Sequence, residues 1–275
     1  MKKYLINFLK GLTIGASMTV PGVSGGAMAI ILNLYDKLVD AMSNIFKDFK
    51  KNFLYILSVA LGGVVGLFLF AHVIKLLLDV FQLPIIYFFM GCILGSIPLV
   101  LYKAKQGKGG KFKFNWQTFV FPLIGCAIVV GLSFLPTNGN FVFNQDLKSY
   151  SYVLLTGITI SISLVLPGLS TTFMLYVLGV YDYFINALTN FDILFLAVLA
   201  VATIIGFIVT IKVVDYLIKK FPKYVFLTIL GFIIGSIYTI FPGWPTGLNI
   251  LYCILMFIAG FVPLMFISLK TGDSE

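Results

Sequence analysis

Uncharged stretches long enough to cross a hydrocarbon core, which takes about 20 apolar residues as a helix, recur along this chain. They run from Phe53 to Ala71, Pro84 to Tyr102, Trp116 to Leu135, Ile193 to Ile211, Tyr224 to Phe241 and Ile250 to Leu269, and they predict six spanning helices. Two further apolar segments, Leu5 to Leu34 and Tyr152 to Val180, are each interrupted near the middle by Pro-Gly, in VPGVSGG (Val20 to Gly26) and LPGLSTT (Leu166 to Thr172). Each half of such a segment reads as roughly 10 to 15 residues. A half-helix of about 10 residues rises about 15 Å, half the hydrocarbon thickness, so two halves can enter and return on one side. The expectation is an all-α polytopic membrane protein with six transmembrane helices and two re-entrant broken-helix hairpins.

Composition agrees with this reading. Of 275 residues, 60% are hydrophobic and 11% charged, against roughly 25% charged in soluble domains. Lys2, Lys3 and Lys10 ahead of an apolar run imitate a secretory signal. The run lacks a small-residue cleavage site, so it is expected to be retained. Cys92, Cys126 and Cys253 stand singly in spanning segments, without the paired spacing of a metal site or disulfide framework. No metal and no cofactor is expected.

The net charge of +9 comes from 19 lysines with no arginine. With both hairpins re-entrant and the N-terminus inside, seventeen lysines fall on the cytoplasmic side, leaving only Lys75 and Lys148 outside, as short cytoplasmic loops prefer. Both termini are therefore expected in the cytoplasm. The basic loops are short and explained by topology, so no nucleic-acid partner is expected. The Lys103 to Lys113 loop suits contact with anionic membrane lipids.

The chain also repeats itself. Gly11 to Asn44 aligns without gaps with Gly157 to Asn190, giving 13 identities in 34 positions, among them Ser17 with Ser163, Pro21-Gly22 with Pro167-Gly168, Ser24 with Ser170 and Tyr35-Asp36 with Tyr181-Asp182. After a six-residue shift, Gly66 meets Gly206, Gly91 meets Gly231, and Gly95-Ser96-Ile97 meets Gly235-Ser236-Ile237. The two copies, 1–146 and 147–275, each hold one hairpin and three spanning helices. An odd number of crossings inverts the second copy, and inverted repeats with discontinuous helices place a binding site near the midplane.

Non-helical backbone at membrane depth must be buried in protein or face a watery cavity, which singles out the two tips. At the first, Pro21 ends a half-helix, Gly22 permits the turn, Val23 follows, and Ser24 is placed to cap the next half-helix. Gly25 and Gly26 leave first-turn N–H groups uncovered for an anion. At the second tip, Pro167 and Gly168 repeat the turn, and Ser170, Thr171 and Thr172 add hydroxyl donors. Pro-Gly can also simply kink a helix whose glycines let neighbours pack closely. The turn lacks the lysine and spacing of a nucleotide-binding phosphate loop. Among the few charged groups near the membrane, Asp36, His72, Lys75, Asp182 and Lys212 are candidates for attracting a headgroup or for coupling. His72, the single histidine, aligns with Lys212, and near-terminal charges of this kind also simply snorkel.

The two turns, the Tyr-Asp after each hairpin and the eight hydrophobic segments resemble the bacterial polyprenyl-phosphate transporter family over nearly the whole chain. The resemblance implies return of undecaprenyl phosphate from the outer to the inner leaflet of the cytoplasmic membrane, recycling the lipid carrier of peptidoglycan and teichoic acid synthesis. Carried over by position, the headgroup site is Pro21 to Gly26 with Pro167 to Thr172. The family pattern has threonine where this chain has Ala27 and glycine where it has Asn33. A polyprenyl-diphosphate phosphatase would need acidic and basic groups at the tips, whereas Glu275 is the only glutamate and neither tip is ionisable. A transporter or channel for a small inorganic anion is the other alternative.

Overall fold

The computed structural model describes residues 2–18, 25–105, 116–135, 141–169 and 171–273. Every element among them is a helix: α1 (Lys2–Ser17), α2 (Gly25–Ile31), α3 (Tyr35–Ser43), α4 (Phe49–Gly95), α5 (Ile97–Lys105), α6 (Gln117–Ser133), α7 (Leu147–Val165), α8 (Thr171–Val177), α9 (Tyr181–Thr189), α10 (Ile193–Lys220), α11 (Pro222–Ile240) and α12 (Asn249–Asp273). Six stretches are long and apolar enough to cross a membrane: Phe49–Phe70, Val80–Lys105, Leu147–Val165, Ile193–Lys220, Pro222–Ile240 and Asn249–Leu269. The chain is a multi-pass membrane protein.

These are not the same six as the uncharged runs suggest. The run from Trp116 to Leu135 yields α6, only 17 residues, while α7, the first limb of the second hairpin, has 19. The hairpin limbs are unequal, 16 and 7 residues in α1 and α2, 19 and 7 in α7 and α8. The expected halves of 10 to 15 residues are corrected accordingly. At the second hairpin the break falls at Leu166, directly before Pro167. At 47 residues α4 would extend about 70 Å if straight, and it breaks at Phe81 (φ −130°, ψ 44°), three residues before Pro84.

The chain nevertheless doubles back at both hairpins. Tyr152, near the start of α7, donates its hydroxyl to the Leu178 carbonyl beyond α8 at 2.7 Å, and Lys10 of α1 donates to the matched Leu32 carbonyl at 2.8 Å. Each short helix ends the same way. The N–H of Leu34 bonds the Ala29 carbonyl and that of Val180 the Leu175 carbonyl, with Asn33 (φ 52°) and Gly179 (φ 65°) between them. This is the left-handed helix stop that favours glycine and tolerates asparagine.

Helices approach each other at glycines, as they do in lipid, where close backbone packing replaces hydrophobic drive. A Cβ on Gly66 would collide with the Leu12 carbonyl of α1, and one on the matched Gly206 would collide with Ser161 and Ile158 of α7. In the same way Gly91 meets the Phe257 carbonyl of α12, and Gly231 meets the Pro122 carbonyl of α6. The third helix of each copy thus packs on the second helix of the other.

The exit helices α3 and α9 lie at opposite ends of α10, whose 28 residues span about 42 Å. At the C-terminal end, Lys219 bridges Asp40 of α3 (2.6 Å) and Asp215 of α10 (2.9 Å). At the N-terminal end, Tyr183 of α9 donates to Asp192 at 2.9 Å and packs its ring on Phe195, centroids 4.8 Å apart. Lys103, at the end of α5, is buried, pairs with Asp36 of α3 and lies over the Phe226 ring at 5.7 Å.

Two consequences are measurable as detergent thermal stability. Asn33→Ala is expected to cost about 1 kcal/mol, the penalty of a left-handed backbone for an ordinary residue, while Asn33→Gly keeps or raises stability. Lys103→Met is expected to destabilise more than the double variant Lys103→Met with Asp36→Asn, because removing the lysine leaves the part-buried Asp36 carboxylate without its partner.

Candidate functional site

The second tip is built by the end of α7 and the start of α8. Helix α7 runs as far as Val165, and Leu166 turns to extended backbone (φ −81°, ψ 124°), as the residue before a proline prefers. Pro167 is fully buried. Gly168 adopts φ +88°, and a Cβ there would stand 2.7 Å from the Phe232 carbonyl of α11. Both conformation and space therefore require glycine at this position. Thr171 opens α8 with its hydroxyl 3.3 Å from that of the buried Ser163, whose single proton goes to the Ile160 carbonyl at 2.8 Å, so that the threonine donates to the serine. Thr172 follows in α8; its side chain and Ser170 lie outside the described residues.

Of the first tip, Pro21, Gly22, Val23 and Ser24 lie outside the described residues, while Gly25 and Gly26 begin α2. Gly26 is what brings the two tips together. A Cβ added to it would stand 3.1 Å from the Pro167 Cα, so the start of α2 rests directly on the turn of the other hairpin. Tyr35, fully within the core, donates its hydroxyl to the Val165 carbonyl at 3.0 Å. That bond satisfies one of the carbonyls left free where α7 stops. The matched serines behave alike: Ser17 donates to Ile14 at 2.7 Å and Ser163 to Ile160 at 2.8 Å.

An apolar cavity of about 400 Å³ leaves the junction of the tips. Gly25, Gly26, Tyr35, Leu164 and Val165 line its inner end, and α1, α3, the first arm of α4 and α10 form its walls through residues such as Ile14, Leu38, Val59, Ala60 and Phe207. Val64, also in the wall, is 55% exposed, so the cavity opens sideways toward the surface that lipid would cover. An apolar cavity of this size suits the apolar part of an amphiphile.

The remaining sequence candidates are not at this junction. Asp36 is in the first turn of α3, where it pairs with Lys103; Asp182 is exposed in the first turn of α9. Lys212 is exposed on α10. The side chains of His72 and Lys75 lie outside the described ones. Sequence reasoning missed Tyr35 as a site-forming residue, although the repetition of Tyr35-Asp36 as Tyr181-Asp182 marked it without its purpose. It also read Lys103 as a topology signal and part of a lipid-contacting loop, not as the partner of Asp36. Among the described residues, no group of acidic, histidine or cysteine side chains could hold a metal.

Comparisons with known proteins agree with one another. The chain is 29% identical to the polyprenyl-phosphate transporter of Staphylococcus aureus (strain NCTC 8325 / PS 47), covering 98% of both chains. It is 26% identical to the polyprenyl-phosphate transporter of Vibrio cholerae serotype O1 (strain ATCC 39315 / El Tor Inaba N16961), over 90% of this chain and 80% of that one. No solved structure matches it. The profile described as undecaprenyl phosphate translocase-like matches residues 14–252, which take in both Pro-Gly turns; the chain belongs to that family.

Proposed function

We propose that this protein is a carrier for undecaprenyl phosphate, moving it from the outer to the inner leaflet of the bacterial cytoplasmic membrane so that the lipid can serve cell-wall synthesis again. The observation that carries this reading is the seating of Gly26 on Pro167 at the inner end of a cavity that opens toward lipid. The phosphate sits between the tips, held by the hydroxyls and backbone N–H groups of Pro21 to Gly26 and Pro167 to Thr172, and the first part of the isoprenoid chain lies in the cavity. Both matched relatives are named polyprenyl-phosphate transporters, and no covalent chemistry enters this reading.

Alternating access follows from an inverted repeat of 1–146 and 147–275. Its support is the placement of α3 and α9 at opposite ends of α10 and the equivalent glycine contacts at matched positions. The hairpins are re-entrant: the hydrogen bonds from Lys10 and Tyr152 return each one toward the end where it entered. Lys103 and Lys219 meet α3 at one end of the bundle. We assign that end, with both termini, to the cytoplasm, where lysines accumulate. Lys212, His72 and Lys75 attract the anionic headgroup, Asp182 marks the opposite exit, and Asp36 acts through its pair with Lys103.

The test is movement of undecaprenyl phosphate between leaflets of liposomes holding the purified protein, with inorganic phosphate and sulfate as competitors. Ser24→Leu and Ser170→Leu should each abolish movement while membrane insertion is unchanged. Gly26→Val, which forces the tips apart, should slow it about tenfold, equivalent to roughly 1.4 kcal/mol of lost binding. Full activity in either serine variant sinks the tip site, and uptake of a small anion without lipid movement replaces the lipid reading by the inorganic-anion one.

A further inference from the structure

A second apolar cavity, of about 580 Å³, lies in the second copy between α7, α8, α9 and α10. Its nine lining residues all fall at positions that the internal repeat matches to residues lining the first cavity. Ile160 corresponds to Ile14, Leu199 to Val59 and Ala200 to Ala60. The two cavities are thus copies of one feature. Both volumes lie within the roughly 300 to 1,000 Å³ typical of small-molecule sites.

Their openings correspond as well. Val64 of the first and Ile204 of the second occupy matched positions and are 55% and 58% exposed, so both cavities open sideways. They sit at different heights, however. The second uses Leu196 to Ile204, toward the start of α10, and the first uses Phe207 and Ile211, further along the same helix. Each also takes wall residues from its own exit helix, Leu38 of α3 or Phe184 of α9, and those helices flank opposite ends of α10.

The second cavity is not merely a packing fault. Thr171, hydrogen-bonded to Ser163, closes its inner end, which gives an apolar slot with a hydroxyl pair where an amphiphile's polar group would emerge. Glycine is replaced by threonine at two matched wall positions, Gly25 by Thr171 and Gly63 by Thr203. The second slot is therefore the more polar of the two.

We propose that this second cavity is a separate binding site for the isoprenoid tail, used when the headgroup faces the outer leaflet, and that the tail passes to the first cavity as the headgroup reaches the inner one. This inference rests on the polyprenyl-phosphate reading above. A single fixed tail site would hold the chain at one depth while the phosphate changed sides. Two sites at different heights let head and tail move together, and the tail beyond the first few isoprene units remains in lipid throughout.

The test uses the full chain in liposomes with farnesyl phosphate carrying a diazirine at the tail end, and maps the label after illumination. Label is expected in both Ile56 to Val64 and Leu196 to Ile204, displaced by unlabelled undecaprenyl phosphate. Ala60→Trp should deplete the first and Ala200→Trp the second, each by about tenfold, the equivalent of roughly 1.4 kcal/mol. Both variants should slow lipid movement. Ile204→Trp, at the mouth of the second cavity, is the alternative if Ala200→Trp assembles poorly. Label confined to the first cavity, with wild-type movement in Ala200→Trp and Ile204→Trp, overturns the second site and leaves the carrier reading standing. Equal labelling of the second cavity by a diazirine-bearing phosphatidylcholine also overturns it, as ordinary lipid contact. No lipid movement and no label in either cavity removes the carrier reading itself.

Discussion

A helix that stops inside hydrocarbon leaves its last carbonyls without partners, and lipid supplies none. In this protein three carbonyls at or just past helix ends are answered by side chains. Where α7 stops, the Val165 carbonyl takes the hydroxyl of Tyr35, a residue 130 positions earlier and in the other copy. Where the short helices end, Lys10 answers Leu32 and Tyr152 answers Leu178. Each is a side chain reaching back from the first limb of the same hairpin. A broken helix is thereby made tolerable, and one of the three bonds ties the two copies together beside the tips.

Close backbone packing at glycines builds the frame that holds the tips. Because lipid tails are as apolar as the helices, contact must come from shape, and small residues provide it. Gly66 and Gly206 seat the long hairpin limbs on their own copy, while Gly91 and Gly231 receive the third helix of the opposite copy. The first kind of contact keeps each hairpin with its cavity. The second interlocks α4 with α12 and α11 with α6. Gly26 rests on Pro167 between these two sets of contacts.

Much of this was legible in the sequence because lipid restricts the alternatives. Six uncharged runs mapped onto helices with small end shifts, and the duplication predicted which glycines would do equivalent work. Limb length was not legible. Halves of roughly 10 to 15 residues were inferred from the position of Pro-Gly within an apolar run, but Lys2 to Tyr4 and Leu147 to Ser151 extend α1 and α7 beyond those runs, since helix propagation does not require apolar residues. The pairs Lys103 with Asp36 and Lys219 with Asp40 were also invisible. They join residues 67 and 179 positions apart, and a count of lysines per loop treats each as solvent-facing. The cavities, being absences between side chains, leave a trace only as matched small residues such as Ala60 and Ala200.

The absence of charge at the tips is itself informative about affinity. Val20 to Gly26 and Leu166 to Thr172 contain no ionisable residue, so a phosphate there is met by hydroxyl and amide donors. Hydrogen bonds from Lys or Arg to phosphate are roughly twice as strong as neutral ones, and a cation fixed at the tip would hold the headgroup through the transition it must complete. A carrier has to release what it binds, just as a conduction site must bind weakly enough to let its ion leave. The available cations are consistent with that demand: Lys103 and Lys219 lie at one end of the bundle, already paired with Asp36, Asp40 and Asp215. Their positive charge is spent on joining helices, and under the proposed tip site the headgroup would rest on neutral donors without an ionic trap.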